Sequence, residues 1–283
     1  MNCPLLNKFH KQAVLYNPLS KNGDCKNKIE SFKNNSEFNI VNVLEDGEYD
    51  RVLNALTNTD ELHIYGGDGT LHHFVNRIKG LKLDCKIYFN TSGTGNDFYH
   101  DVAQDGDGEL ILINDYIENL PKVIVNDREY LFINGVGFGI DGYCCEIGDE
   151  LQKKSDKPVN YAGIAIKGLL FHFKPRSGRI TVDGETIEYK KIWICPTMKG
   201  KFYGGGMNVT PLQNRLAEDR SVSSAVFHSS GKLKTLMVFP KLFKGTHTTH
   251  TDIFTIRTGK HIIVEFDQPT ALQIDGETIK NVK

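Results

Sequence analysis

Gly66-Gly67-Asp68-Gly69-Thr70 sets an aspartate among glycines where the flanking residues frame a passage from strand to helix. Leu62-His63-Ile64-Tyr65 before it is short, apolar and aromatic, and Leu71, Phe74, Val75 and Ile78 after it recur at helical spacing. Such a turn lets backbone approach an oxyanion closely and aims N–H groups and the positive helix end at it. Asp68 has the wrong charge to touch phosphate. Its use is then to hold a Mg²⁺ ion or to orient the groups around the phosphates. A mere tight connection needs the glycines but not the acid between them. Ser92-Gly93-Thr94-Gly95-Asn96-Asp97 repeats the theme after the apolar strand Ile87-Tyr88-Phe89. Alone, this second turn is as readily a cap for a helix beginning near Phe98. The two turns together predict a nucleotide site.

Asp-Gly-Glu occurs twice, as Asp183-Gly184-Glu185 and Asp275-Gly276-Glu277, each after an apolar strand. The default reading of both is a hairpin turn. The second admits another, since a carboxylate near a γ-phosphate can accept the proton of an attacking hydroxyl. Gly204-Gly205-Gly206 reads as a bulge or a close approach of backbones, with no chemistry required of it. His72-His73 and His247/His250 show no ligand pattern and read as surface or capping residues. No GxxxxGK[ST] occurs, so a Walker-type lysine is missing.

The elements that position these turns alternate over roughly the first 115 residues. Ala13–Tyr16 predicts strand one, running into the polar turn Asn17-Pro18-Leu19-Ser20-Lys21-Asn22-Gly23 and a helix through Ile29 and Phe32. Phe38 to Leu44 alternates as strand two, and Val52, Leu53 and Leu56 mark the next helix. Ligands of open α/β sheets bind beyond the carboxyl ends of the strands, where all three polar turns fall. After about Leu120 short strands dominate: a hairpin over Lys122–Val125 and Tyr130–Asn134, then Arg179–Val182, Ile187–Cys195, Met207–Val209, Val222–Phe227, Ile253–Ile256, Ile262–Phe266 and Ala271–Ile274. Helices are expected only at Val159–Phe173 and Leu233–Phe243. That spacing predicts an antiparallel sandwich or barrel.

Composition bounds the function. With 283 residues, 39% hydrophobic and 24% charged, the chain is of ordinary globular make-up and long enough for two domains. A net charge of −1 argues against a nucleic-acid binder working by bulk charge. No run approaches a membrane span, and Met1-Asn2-Cys3-Pro4 does not open a signal peptide. The cysteines at positions 3, 25, 85, 144, 145 and 195 have no CxxC spacing, which predicts reduced thiols in a cytoplasm.

These motifs, in this order, resemble the diacylglycerol kinase catalytic family in its bacterial branch. Asn17-Pro18 with Ser20 is similar to its first nucleotide loop, Gly66–Thr70 to its central motif, and Gly93–Phe98 to its third loop. Phe132-Ile133-Asn134 with Gly137-Phe138-Gly139-Ile140-Asp141 resembles the entry to its second domain, and Tyr203–Met207 and Asp275-Gly276-Glu277 complete the series. The central motif alone would also fit NAD kinases and phosphofructokinases. The resemblance implies a Rossmann-like α/β domain over 1–120 for the nucleotide and a mainly antiparallel β-sandwich domain over 121–283 for the lipid, with the active site between them. It implies transfer of the ATP γ-phosphoryl group to a lipid hydroxyl such as that of diacylglycerol. By position, Asn17, Pro18, Ser20, Gly66, Gly67, Asp68, Gly69, Thr70, Thr94, Asn96 and Asp97 would bind the nucleotide, and Asp68 and Asp97 would organise Mg²⁺. Glu277 would be the general base, with Asp275 the fallback. The family's structural-magnesium segment reads Asp-Asp-Gly and an apolar run ending in Asp. Here Glu218-Asp219-Arg220-Ser221-Val222-Ser223 keeps Asp219 alone as the metal candidate. Membership also implies a cytoplasmic protein acting peripherally at a membrane surface, and is compatible with a homodimer. An NAD-kinase-like activity on a soluble acceptor, or a catalytically silent nucleotide-binding relative, are the alternatives.

Overall fold

The computed structural model describes residues 12–20, 24–33, 38–45, 47, 50, 53, 61–91, 96–103, 110–154, 159 and 161–283. The chain divides into two compact units, Met1–Asn119 and Leu120–Lys283.

In the first unit, strands β1 (Gln12–Tyr16), β2 (Phe38–Asn42), β3 (Glu61–Gly66), β4 (Lys86–Thr91) and β5 (Leu110–Leu112) form one sheet in the order β2-β1-β3-β4-β5. The first three pairings are parallel and β5 closes the edge antiparallel to β4. Val14, Leu15, Leu62, Ile64, Ile87 and Phe89 are buried, the continuous apolar burial that parallel strands need. Helices Asp24–Lys33, Asp68–Arg77 and Asp97–Val102 are interleaved with these strands. Strand β2 stops at Asn42 rather than Leu44, because the Asn42 side chain accepts the Leu44 N–H at 3.0 Å and turns the backbone. Of the helix marked by Val52, Leu53 and Leu56, only Leu53 is among the described residues, helical and buried.

The second unit opens with the hairpin β6 (Lys122–Val125) and β7 (Arg128–Leu131), turned by Asn126 and Asp127 at positive φ. Its strands continue as β8 (Gly135–Gly139), β9 (Arg176–Val182), β10 (Glu185–Ile192), β11 (Ile194–Met198), β12 (Phe202–Tyr203), β13 (Met207–Asn208), β14 (Val222–Phe227), β15 (Phe254–Gly259), β16 (Ile262–Phe266), β17 (Thr270–Ile274) and β18 (Glu277–Val282). A six-stranded antiparallel sheet runs β15-β14-β11-β8-β17-β18 and a three-stranded one β10-β9-β16. Phe138, Val226, Leu272 and Ile274 of the larger sheet share a core with Ile180, Ile192 and Phe266 of the smaller. The larger sheet's other face is covered by helices, through Ile140, Cys144, Leu169, Trp193, Ile194, Phe227 and Leu242.

The expected single strand Ile187–Cys195 is two. The pairing of β10 is irregular around Lys191, at φ 52, the strand ends at Ile192, and the chain enters the other sheet as β11 from Ile194, so Trp193 lies at the crossing. A helix, Ile140–Gln152, stands where no helix was expected. Beyond Ile140 its packed face is made of Asp141, Gly142, Cys144 and Gly148, small or polar residues that leave no large-aliphatic periodicity to read. Residues after Glu277 return along β17 as strand β18. Cys25, Cys85, Cys144, Cys145 and Cys195 are all free thiols, and burial pushes Cys144 and Cys195 up to about 12. His72 and His247 are buried rather than superficial, and the His247 ring bonds the Val209 carbonyl through Nε2 at 3.0 Å.

Candidate functional site

Strand β3 delivers Gly66 and Gly67 at its carboxyl end, and the helix starting at Asp68 follows without an intervening loop. The first-turn N–H groups of that helix have no intrahelical acceptor, which makes its start a natural oxyanion contact. Gly66 must be glycine because a Cβ there would lie 2.4 Å from the Cβ of Thr70. Gly69 differs: a Cβ there would meet nothing within 4 Å, so the turn presents open space on that side.

Three strand ends converge on this turn. Asn17, just past β1, donates its N–H to the Tyr65 carbonyl at 3.1 Å and its Nδ2 to the Thr70 hydroxyl at 3.2 Å. Its own Oδ1 accepts the Leu19 N–H at 3.0 Å, and Ser20 N–H returns to the Asn17 carbonyl at 3.1 Å, folding the Asn17–Ser20 turn around the buried Pro18. From the other side the Asp68 carboxylate accepts the Asp97 N–H at 2.7 Å and the Phe98 N–H at 3.3 Å. Asp68 therefore caps the helix Asp97–Val102, a service that Asn96, at φ 46, does not perform with its own side chain. The Asn96 Oδ1 is buried without a partner, and Asp97 is buried beside it. Thr94, with Ser92, Gly93 and Gly95, lies outside the described residues. Mg²⁺ is ordinarily held by one or two carboxylates plus substrate phosphates, and the donor set of Asp68 and Asp97 fits that pattern.

In the second unit the two Asp-Gly-Glu turns are built alike. Each places Asp and Gly at positive φ and each aspartate binds amides of a neighbouring segment. Asp183 holds the N–H groups of Lys260 and His261 at 2.8–3.0 Å. Asp275 accepts three, from Ile133 at 2.7 Å, Asn134 at 2.8 Å and Gly135 at 3.0 Å. The carboxylate of Asp275 is thus occupied in tying the turn to β8. Glu277, the first residue of β18, is exposed.

The turn has a second brace that sequence reading missed. Gln273 Oε1 accepts the Gly276 N–H at 2.7 Å, and its Nε2 faces the carboxyl of Asp141. Asp141 lies so close over β8 that a Cβ at Gly137 would sit 1.9 Å from its Oδ2. Neither oxygen of this buried carboxyl reaches a donor with hydrogen-bond geometry, although the Gly142 amide and Gln273 stand near enough to act on it. Burial pushes its pKa up to about 7. The Tyr203 hydroxyl, also buried without a partner, is pushed up by burial and by Asp141. The available signal was the acid at the end of the Gly-Phe-Gly-Ile-Asp run, just where backbone glycines leave room for a side chain.

Asp219 stands apart from any such constellation. It is exposed, accepts its own loop's Ser221 N–H at 3.1 Å, and is held below the usual carboxylate range by that amide and by Lys260. Among the described residues no three His, Cys, Asp or Glu side chains gather as metal donors, and Asp219 is met instead by Lys260 and itself acts on Lys199. The surroundings of Asp219 do not fit a divalent cation.

Family models match on both units. The diacylglycerol kinase catalytic domain matches residues 11–120, and the YegS C-terminal NAD kinase beta sandwich-like domain matches 134–282, more than half of the chain. The chain belongs to the YegS-type branch of the diacylglycerol kinase catalytic family. It is accordingly a phosphotransferase of the kinase class. Among its relatives are the putative lipid kinase YtlR of Bacillus subtilis, 25% identical over 76% of this chain and 73% of YtlR, and the diacylglycerol kinase of Mycobacterium tuberculosis, 22% identical over 87% and 82%. A crystal structure of a putative diacylglycerol kinase from Bacillus anthracis superposes with a TM-score of 0.67 at 17% identity, covering 100% of this kinase and 94% of that chain, which shows the shared fold. No helix among the described residues is long and apolar enough to cross a membrane.

Proposed function

We propose that this kinase moves the γ-phosphoryl group of ATP to the hydroxyl of a lipid at a membrane surface, with diacylglycerol as the prototype acceptor. The observation that carries the reading is the joining of Asn17, Thr70, Asp68 and Asp97 at the carboxyl ends of β1, β3 and β4. That arrangement leaves helix-start amides and the space beside Gly69 for phosphate. Gly66, Gly67, Gly69 and Thr70 contribute backbone N–H groups, Asn17 with Pro18 and Ser20 forms a second wall, and Asn96 and Thr94 belong to the third loop. Asp68 and Asp97 would hold Mg²⁺, which when bound supplies neutralisation of phosphate charge.

Glu277 is the base in this reading. It takes the proton of the lipid hydroxyl as that oxygen forms its bond to the γ-phosphorus, the bond to the bridging oxygen breaks, and ADP leaves with the electron pair. Asp275 is assigned the holding of the turn rather than the proton, because three backbone amides already occupy its carboxylate.

The test is incubation of labelled ATP with mixed-lipid vesicles containing diacylglycerol. A chloroform-soluble labelled product is the expected result. Label appearing on NAD and on no lipid would replace the reading by a soluble-acceptor kinase. ATP binding without transfer to any acceptor would make the protein a silent relative.

A further inference from the structure

The Glu218–Ser223 segment carries Asp219 among cations. Lys199 is buried, with its ammonium held below the ordinary lysine range by burial and by the neighbouring Arg215 and Arg220, while Lys260 lies near Asp219. A divalent ion placed at Asp219 would face these charges. The ties that a structural ion makes between a loop and its surroundings are made here by nitrogen donors. Gln213, buried, gives Nε2 to the Ser221 carbonyl at 3.0 Å and accepts the Ser223 hydroxyl, closing the loop on itself. Arg215, also buried, reaches outward: its guanidinium donates to the Ile133 carbonyl and, at 2.6 Å, to Asn134 Oδ1.

Ile133–Gly135 is the same segment whose N–H groups bind Asp275. A guanidinium grips it through its acceptors and a carboxylate through its donors. We infer that Arg215 is a positioning residue for the Asp275-Gly276-Glu277 turn, and that the loop bearing it stands in for a structural divalent cation. The planar fork of Arg215 satisfies two acceptors at fixed angles, which a hydrated metal or a lysine does not reproduce. The positioning part rests on the reading of Glu277 as the base; the metal-free part does not.

Hydrogen–deuterium exchange on the full chain without nucleotide tests the metal-free part. Exchange over residues 210–221 is expected to be the same with and without millimolar magnesium, in the wild type and in Asp219→Asn alike. Slower exchange there on adding magnesium, lost in Asp219→Asn, overturns it. For positioning, Arg215→Gln and Arg215→Lys are each expected to accelerate exchange of the 133–135 amides and to lower kcat roughly tenfold or more, with KM for ATP within about twofold. Unchanged exchange and kcat in the lysine variant, which keeps the charge but not the planar fork, overturn it. Should the wild type phosphorylate no acceptor, the kinase reading fails while both exchange measurements still decide the loop's role.

Discussion

The Asp68 carboxylate lies 2.7 Å from the backbone nitrogen of Asp97, 29 residues along the chain, and thereby joins the turn after β3 to the helix after β4. An acid that repels phosphate thus has a use in the turn to which the proposed function gives phosphate. It holds the Asp97 and Phe98 amides at the start of a helix, an end that carries the opposite partial charge.

That joint has two separable parts, the acceptor and the charge. Asp68→Ala removes both and is expected to lower stability by about 1–2 kcal/mol through loss of the cap. Asp68→Asn keeps the acceptor for the Asp97 N–H but sets an amide NH₂ against the Phe98 N–H, and is expected to lose less stability than Asp68→Ala. Both variants are expected to weaken magnesium ATP at least about tenfold, since a coordinating charge is lost. Thermal unfolding and calorimetric titration with ATP, run side by side, separate the effects.

The two glycines of the turn predict opposite outcomes. Gly66→Ala forces a Cβ to 2.4 Å from Thr70 and is expected to destabilise the protein by about 1–3 kcal/mol. Gly69→Ala meets nothing within 4 Å, and alanine is the better helix former, so stability is expected to hold or rise by up to about 1 kcal/mol. Its methyl group enters the open space that the proposed function gives to phosphate, and ATP affinity is expected to drop. A Gly69→Ala protein binding ATP as the wild type does would leave that space without a role.

Legibility in the sequence followed the physics of each element. The strands β1, β3 and β4 and the Gly66-Gly67 turn were readable because full burial demands unbroken apolar runs and Gly66 leaves no room for a Cβ beside Thr70. The cross-links were not, since Asp68 to Asp97 or Asp275 to Ile133 depends on which backbone amides a folded chain brings near. The break at Lys191 was hidden because Ile192-Trp193-Ile194-Cys195 is apolar on both sides of the sheet change. The helix Ile140–Gln152 was hidden by its small residues: a Cβ on Gly142 would lie 2.3 Å from the Ala271 carbonyl, a fit that hydrophobic periodicity does not record.

Asp275 and Glu277, two residues apart, are expected to fail differently when altered. Asp275→Ala leaves the Ile133, Asn134 and Gly135 amides without their acceptor and is expected to cost about 2–4 kcal/mol of stability. Glu277→Gln, at an exposed position, is expected to leave the unfolding midpoint in place while lowering kcat about a hundredfold or more. Urea unfolding together with single-turnover transfer to lipid reads both. A fully active Glu277→Gln enzyme would remove Glu277 from the chemistry.

Asp141 makes stability depend on pH with a sign opposite to that of a salt-bridged acid. Its folded pKa is raised by burial from the ordinary 3.8 to about 7. Between those values the folded state binds the proton more tightly than the unfolded chain, so folding gains from acid. The contribution is fully present below about pH 4 and is lost as pH rises through about 7. The shift corresponds to a loss of a few kcal/mol, on the order of 4 at most. Asp141→Asn retains the shape and removes the titration. In urea unfolding at pH 5 and pH 8, the wild type is expected to lose stability between the two relative to this variant, and the variant is expected to gain most at the higher pH. Parallel profiles for the two proteins would mean that Asp141 keeps an ordinary carboxylate pKa, and that water or a cation reaches its buried oxygens.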